Sequence, residues 1–320
     1  MSGGFMTILE QLEQYTKIVA DTGEIDSIRK YKPQDATTNP SLLLKAAQKP
    51  EYRKLVHDAV RECVINKNSI KPCLEELQVR FAKEILGIIP GRVSVELDAS
   101  LSFDTKSTVA AAERLLQSFK KQGVDTDRLL FKVASTWEGI QAAKELEKKG
   151  IHCNLTLLFS FVQAAACADA KVTLISPFVG RITDWYKKQR GVDSIPPKDD
   201  PGVQSVKDIY NYFKNSGIST EIMGASFRNS GQIKELAGCD LLTISPDLLG
   251  ELQRTEENLE RKLSPEKAAN SETTPLHPDE KTFRWLLNEN AMATEKLSEG
   301  IRRFNSDWKK LADLILEQYS

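Results

Sequence analysis

Residues 129–135 read LLFKVAS, and the lysine inside this apolar run is the residue around which the fold has to be explained. Leu, Phe, Val and Ala in such a row describe a buried β-strand. An ammonium ion within one is costly unless it is paired or gives up its proton. Successive strand residues face opposite sides, so Leu129, Phe131 and Val133 share one face while Leu130, Lys132 and Ala134 share the other. The stretch RVSVELDA (92–99) divides the same way, with Val93, Val95 and Leu97 opposite Ser94, Glu96 and Asp98. In CNLTLL (153–158), Cys153, Leu155 and Leu157 stand opposite Asn154 and Thr156. Strands with one apolar and one polar face need a polar interior in which the second faces meet.

Working outward, further strand-like runs occur in KIVAD, QDATT, VTLISPF, EIMGASF and LLTISP, which brings the candidates to eight. Between them lie amphipathic segments: Val109, Ala112, Leu115, Leu116 and Phe119 form one stripe, Trp137, Ile140, Ala143 and Leu146 another, and Val203, Val206, Ile209 and Phe213 a third. Gly123, Gly150, Gly217 and Gly238 each precede a strand, where a helix end needs a left-handed residue. Two helical stretches are expected between TTNPS and RVSVELDA, and a capping box from Ser135 to Glu138. Eight strands alternating with helices predict an α/β fold, a (β/α)8 TIM barrel with additional N- and C-terminal helices. The expected domain is a single one over 1–320, with the barrel at about 16–260 and a C-terminal helical extension at about 280–320. Within that extension Leu297, Ile301, Phe304, Trp308, Leu311 and Ile315 form a stripe that fits packing on the chain's own barrel better than a subunit interface.

Composition narrows the chemistry. Lys plus Arg (44) nearly balances Asp plus Glu (45) over 320 residues, with no basic block, which argues against nucleic acid or a membrane surface as partner. The longest apolar runs are too short for a membrane span, and MSGGFM lacks an apolar signal core. Five scattered cysteines suit reduced thiols and a cytoplasmic setting. Three histidines without metal-ligand spacing argue against a metal site, and no cofactor is expected.

Polar side chains converge on one mouth of such a barrel: Lys132, Glu96, Asn154 and Thr156 from neighbouring strands, with Asp21, Asn39, Ser176, Phe178, Ser226 and Arg228 at other strand ends. Active sites of this fold sit at the carboxy ends of the strands. A purely structural Lys132–Glu96 ion pair would account for two of these groups, but the polar surplus exceeds what one lysine needs. A neutral lysine amine attacks carbonyls to form a Schiff base, and desolvation favours the neutral form.

The motifs VADTG (19–23), DATTNPS (35–41), GRVSVELDA (91–99), LLFKVASTWEGI (129–140), CNLTLLFSF (153–161), ISPFVGRI (175–182), IMGASFRN (222–229) and AGCDLLTISP (237–246) closely resemble, in order, those of the transaldolase family. PGVQSVKDIY and FRWLLNENAMATEKLSEGIRRF resemble its long form, which implies a homodimer. The resemblance implies sugar phosphate substrates and transfer of a dihydroxyacetone unit from sedoheptulose 7-phosphate to glyceraldehyde 3-phosphate. Carried over, Lys132 would be the Schiff-base nucleophile, Glu96 and Thr156 would position a proton-shuttling water, and Asp21 would be the acid/base for carbon–carbon cleavage. Asn39, Asn154 and Ser176 would hold the transferred unit's hydroxyls, and Arg181, Ser226 and Arg228 would receive the phosphate. Two alternatives stay open: an aldolase that releases dihydroxyacetone to water, and an inactive sugar-phosphate-binding barrel. Phe178, apolar where a tyrosine could activate water, argues for transfer; the segment KKQRGVDSIPPKDD departs from the family pattern and is not expected to reach the lumen.

Overall fold

A computed structural model describes residues 6–61, 63 and 70–319, so that only Met6 of MSGGFM lies within the described residues. Eight parallel strands close into a barrel in sequence order: β1 (Lys17–Asp21), β2 (Asp35–Thr37), β3 (Val93–Glu96), β4 (Leu129–Ala134), β5 (Cys153–Leu158), β6 (Leu174–Pro177), β7 (Glu221–Gly224) and β8 (Leu241–Ile244). Pairing of β8 with β1 completes the ring. A short helix, Ile8–Leu12, precedes it, and the helices Glu280–Glu289 and Ala291–Tyr319 follow.

The expected stripes do pack inward: Val109, Ala112, Leu115 and Phe119, Ile140, Ala143 and Leu146, and Val203, Val206, Ile209 and Phe213 are all buried in one layer between sheet and helices. The four glycines at helix ends have left-handed φ (71°, 72°, 64° and 100° at Gly123, Gly150, Gly217 and Gly238), which a Cβ disfavours. Among the described residues no helix is long and apolar enough to cross a membrane.

Several local expectations fail, each for a physical reason. Three helices, not two, lie between β2 and β3 (Pro40–Ala47, Arg53–Arg61 and Lys71–Leu86), because Pro50 opens a separate turn. The helix after β4 is capped by Thr136, whose Oγ1 accepts from Gly139 N at 2.9 Å. Ser135 is instead tied to β5, donating from Oγ to Thr156 O at 2.8 Å. Leu157 breaks the strict alternation of β5: its φ is 53°, and the β5/β6 register shifts between Leu155 and Leu158. It turns to the barrel mouth while Leu158 takes the outward place. Asp98 lies beyond the end of β3, outside the lumen, and pairs with Lys71 at 3.0 Å. Finally, Cys63 and Cys73 are joined in a disulfide, so the reduced-thiol reading holds only for the buried Cys153, Cys167 and Cys239.

The helix Ala291–Tyr319 lies across the carboxy end of the barrel. Its Leu297, Ile301 and Phe304 are buried in a cluster with Leu157, Phe159 and Phe178, whereas Trp308, Leu311 and Ile315 join the main core. Asp307 accepts a hydrogen bond from Ser41, which anchors the helix beside the segment after β2. The whole stripe is thus covered by the chain's own barrel.

Candidate active site

The lumen is built in layers. Val19, Leu130, Leu174, Met223 and Leu241 form an apolar plug. Above it a polar lattice spans the strands: Asn154 Nδ2 donates to Ser94 Oγ at 3.0 Å, Ser176 Oγ donates to Asn154 Oδ1 at 2.6 Å, and the Thr37 and Thr243 hydroxyls are 2.7 Å apart. Register then sets the polar groups side by side, Glu96 beside Lys132 and Lys132 beside Asn154, with Ala134 beside Thr156. Matching positions on adjacent parallel strands face the same side, so three strands deliver their polar residues to one wall.

Lys132 Nζ lies 3.1 Å from Glu96 Oε2 and donates to Thr38 O at 3.2 Å. Both side chains are almost wholly removed from solvent, at 6% and 4% exposure, so neither charge can be relieved by bulk water. Asp21 Oδ1 accepts from Thr37 Oγ1 at 3.0 Å. Burial pushes the carboxyls of Asp21 and Glu96 above their ordinary values, although Lys132 and Arg181 pull both down. Asp21 opposes ionisation of Glu96 as well. Two carboxyls thus lie in the field of one ammonium. Glu96 Oε2 and Thr156 Oγ1 are buried without a hydrogen-bond partner, Glu96 Oε2 touching Lys132 only as an ion. Buried polar atoms in this state are rare and each calls for an explanation; Glu138 Oε2 and Trp308 Nε1, away from the cavity, are two more among the described residues.

A cavity of about 240 Å³ opens above these groups. All the site residues expected from sequence line it except Glu96 and Asn154, which stand behind the wall it exposes. Asn39 does two jobs: Oδ1 caps the following helix through Leu42 N at 3.0 Å, while the side chain also borders the cavity. The two arginines differ. Arg228 donates to Asp184 Oδ2 from Nη2 at 2.8 Å and from Nε at 3.1 Å, and to Ser226 Oγ at 3.3 Å. Arg181 stacks on Phe178 and Phe304, with ring centroids 4.9 and 5.5 Å from Cζ. Burial, then Arg303 and Arg228, lower the Arg181 pKa to about 10.

Some contributors escaped sequence reading. Phe304 reaches the cavity from the carboxy-terminal helix, where it had counted only as part of an apolar stripe. Gln163 is fully buried; it donates to Ser135 O and Leu157 O at 2.9 and 3.2 Å and fastens the ends of β4 and β5. Asp200 closes the segment that was not expected to bear on the site, yet it accepts from Gln232 Nε2 at 2.7 Å, and Gln232 Oε1 accepts from Arg228 N at 2.7 Å. It therefore supports the Arg228 backbone. Among the described residues no three His, Cys, Asp or Glu side chains converge in a way that could hold a metal ion.

A family model described as Transaldolase/Fructose-6-phosphate aldolase matches residues 18–315. The chain belongs to this family. The matched span runs from β1 into the helix Ala291–Tyr319, so the helix over the site lies within the family's body. The chain is 57% identical over 316 residues to a protein named Transaldolase from Alteromonas mediterranea (strain DSM 17117 / CIP 110805 / LMG 28347 / Deep ecotype), covering 98% of each chain. It is 55% identical over 315 residues to proteins of the same name from Rattus norvegicus and Cricetulus griseus, covering 97% of this chain and 94% of each relative.

Proposed function

We propose that the chain is a transaldolase, a transferase that moves a dihydroxyacetone unit from sedoheptulose 7-phosphate to glyceraldehyde 3-phosphate through a Schiff base on Lys132. The observation that carries this reading is the Lys132 amine, buried at the cavity floor 3.1 Å from Glu96. The neutral amine attacks the ketose carbonyl to give a carbinolamine. Glu96 and Thr156, acting through water, move the protons that let hydroxide leave as water and form the imine. Asp21 takes the proton from the hydroxyl at the bond to be broken; the carbon–carbon bond cleaves, its electron pair passes into the imine, and erythrose 4-phosphate departs. The enamine left on Lys132 attacks the aldehyde of glyceraldehyde 3-phosphate, Asp21 returns its proton, and water hydrolyses the imine to release fructose 6-phosphate.

Asn39 and Ser176 border the cavity and hold the hydroxyls of the transferred unit, Asn154 contributes through its hydrogen bond from Ser176 Oγ, and Arg181, Ser226 and Arg228 receive the substrate phosphate. Phe178 places no phenolic hydroxyl at this position of the cavity to activate water, which favours transfer to an acceptor over release of dihydroxyacetone. The chain works as one domain and as a cytoplasmic homodimer; light scattering on the eluting protein tests the dimer.

The test of the reaction is trapping. Fructose 6-phosphate with borohydride is expected to leave a reduced three-carbon adduct on Lys132, and Lys132→Met to abolish both adduct and turnover. An adduct on a different lysine would remove the assignment. Measuring turnover with and without an acceptor aldehyde separates transfer from aldol release, and no product in either condition would point to a binding barrel.

A further inference from the structure

Arg181 stands in the first turn of the helix Gly180–Arg190, but its guanidinium is enclosed by one turn of the helix Ala291–Tyr319. Two rings approach it, Phe304 with its centroid 5.5 Å from Cζ and Phe178 at 4.9 Å. Gly300, one helical turn before Phe304 and on the same face, borders the guanidinium edge: a Cβ there would lie 3.2 Å from Arg181 Nη1 and 2.6 Å from Leu157 Cδ2. Among the described residues no carboxylate forms an ion pair with this guanidinium, in contrast to Arg228, which Asp184 holds at 2.8 Å.

A carboxylate that fixes an arginine occupies the N–H donors that an oxyanion needs. Aromatic stacking fixes the guanidinium plane through its faces and leaves those donors free at the edge. The slot made by Gly300, Phe304 and Phe178 therefore orients Arg181 without consuming its hydrogen-bonding capacity. Glycine at position 300 leaves room for both the Leu157 side chain and the guanidinium, although it weakens a helix interior. We infer that Gly300 and Phe304 are positioning residues which set the plane of Arg181 and thereby the preference for phosphorylated over unphosphorylated substrates. This rests on the reading of Arg181 as a phosphate ligand. It places a determinant of substrate choice on the carboxy-terminal helix and outside the barrel.

The test compares erythrose 4-phosphate with erythrose as acceptors, using fructose 6-phosphate as donor, for the wild type, R181Q, G300A, F304L and F304Y. The quantity read is the ratio of kcat/KM between the two acceptors. R181Q should lower that ratio tenfold to more than a hundredfold, as loss of a charge-assisted contact implies. G300A and F304L should lower it about three- to thirtyfold, the span of a desolvated cation–π contact, with the loss carried by KM for erythrose 4-phosphate. F304Y, which keeps the ring, should stay within about threefold of the wild type. Thermal melting distinguishes these effects from unfolding, and F304L is the cleaner probe, because a Cβ at position 300 also displaces the buried Leu157 side chain. An unchanged ratio in both G300A and F304L alongside a collapsed ratio in R181Q would overturn the inference and leave the Arg181 reading standing. Equal losses for the two acceptors, seen in kcat, would reduce Phe304 to a packing role and overturn it too. An unchanged ratio in R181Q would remove the phosphate reading and this inference with it.

Discussion

The two mouths of the barrel hold the same kinds of charged side chain, more completely paired at one than at the other. At the amino-terminal mouth Arg92 Nη2 reaches Glu221 Oε2 at 2.6 Å and Asp35 Oδ2 at 3.3 Å, Lys17 meets Glu221 Oε1 at 2.8 Å, and Lys214 meets Asp240 at 2.7 Å. Arg128 donates to the carbonyls of Gly91 and Ile89 at 2.8 and 2.6 Å, while Glu147 accepts from the Cys153 and Thr173 amides at 2.9 and 2.7 Å. At the carboxy-terminal mouth Glu96 Oε2 meets only Lys132, at 3.1 Å, Thr156 Oγ1 lacks a hydrogen bond, and Arg181 is held by rings, while Arg228 pairs with Asp184 at 2.8 Å. Burial acts on the carboxyls at both ends, but the outcome differs. At Glu221 it is outweighed by Lys17 and Arg92, which hold the carboxyl below its ordinary value, whereas Asp21 and Glu96 remain above theirs. Interactions left incomplete in the resting protein are available to strengthen when substrate arrives and charge develops. One mouth closes the barrel, and the other is the one proposed to carry the chemistry.

Breaking the upper end should give the largest effect. Asp21→Asn and Glu96→Gln are each expected to lower kcat by roughly 10² to 10⁴, the range for loss of a positioned acid/base, but at different steps. Asp21→Asn should still form an imine that borohydride traps with the full donor skeleton attached, whereas Glu96→Gln should form that imine slowly. Time-resolved mass spectrometry of the trapped protein reads both. Rapid trapping of the three-carbon fragment alone in Asp21→Asn would show that Asp21 is not the cleavage base.

The raised carboxyls also set a pH dependence. In the role proposed for it Asp21 must be ionised to take a proton, so kcat should fall about tenfold per pH unit below an apparent pKa lying above the ordinary carboxylate range. An acid limb inside the ordinary range would mean that substrate relieves the burial. Next in size is Arg228. With Asp184 occupying two of its donors, Arg228→Gln should weaken phosphorylated ketoses by about tenfold to a hundredfold relative to unphosphorylated ones, read from KM. Equal weakening of both would assign Arg228 to Asp184 alone.

Changes at the lower mouth should leave kinetics alone. Arg92→Met is expected to cost about 2 kcal/mol by stranding Asp35 and Glu221, which corresponds to a melting temperature lower by about 2–3 °C at this chain length. A fall in kcat/KM at a temperature where the variant is folded would contradict the division between the mouths. The smallest effect is expected from Glu221→Gln. Because the folded pKa of Glu221 is depressed, its contribution is complete above the unfolded carboxylate value of about 4.3 and is lost as pH falls through the folded value. The wild type and variant should therefore differ by about 1 kcal/mol at neutral pH and converge in acid. Asp21 and Glu96 have the opposite sign: raised folded values penalise the fold above them, and the penalty disappears below the unfolded value.

Much of this organisation was legible along the chain, and the exceptions share a cause. Parity assigned Glu96, Lys132, Asn154 and Thr156 to one interior because strand residues alternate and adjacent parallel strands keep alternation in step. It failed at Leu157 and Asp98, where the backbone leaves the strand, by a left-handed residue in one case and by the end of β3 in the other. The cysteines gave no sign of the Cys63–Cys73 bond, since scattered spacing says nothing of how a helix starting at Lys71 returns one thiol to another.

By itself the sequence determined the eight strands, the barrel class, the polar lumen and a lysine held inside it, all of which follow from the periods of strand and helix and from the cost of burying charge. Tertiary structure alone decided the rest: that Arg228 is shared with Asp184, that Asp200 supports Arg228 through Gln232, and that Gly300 and Phe304 enclose Arg181. These contacts join residues far apart in the chain through side chains whose directions no local period fixes. Phe304 looks like any core residue of an amphipathic helix until the helix is laid across the barrel, and only that placement puts its ring against a guanidinium.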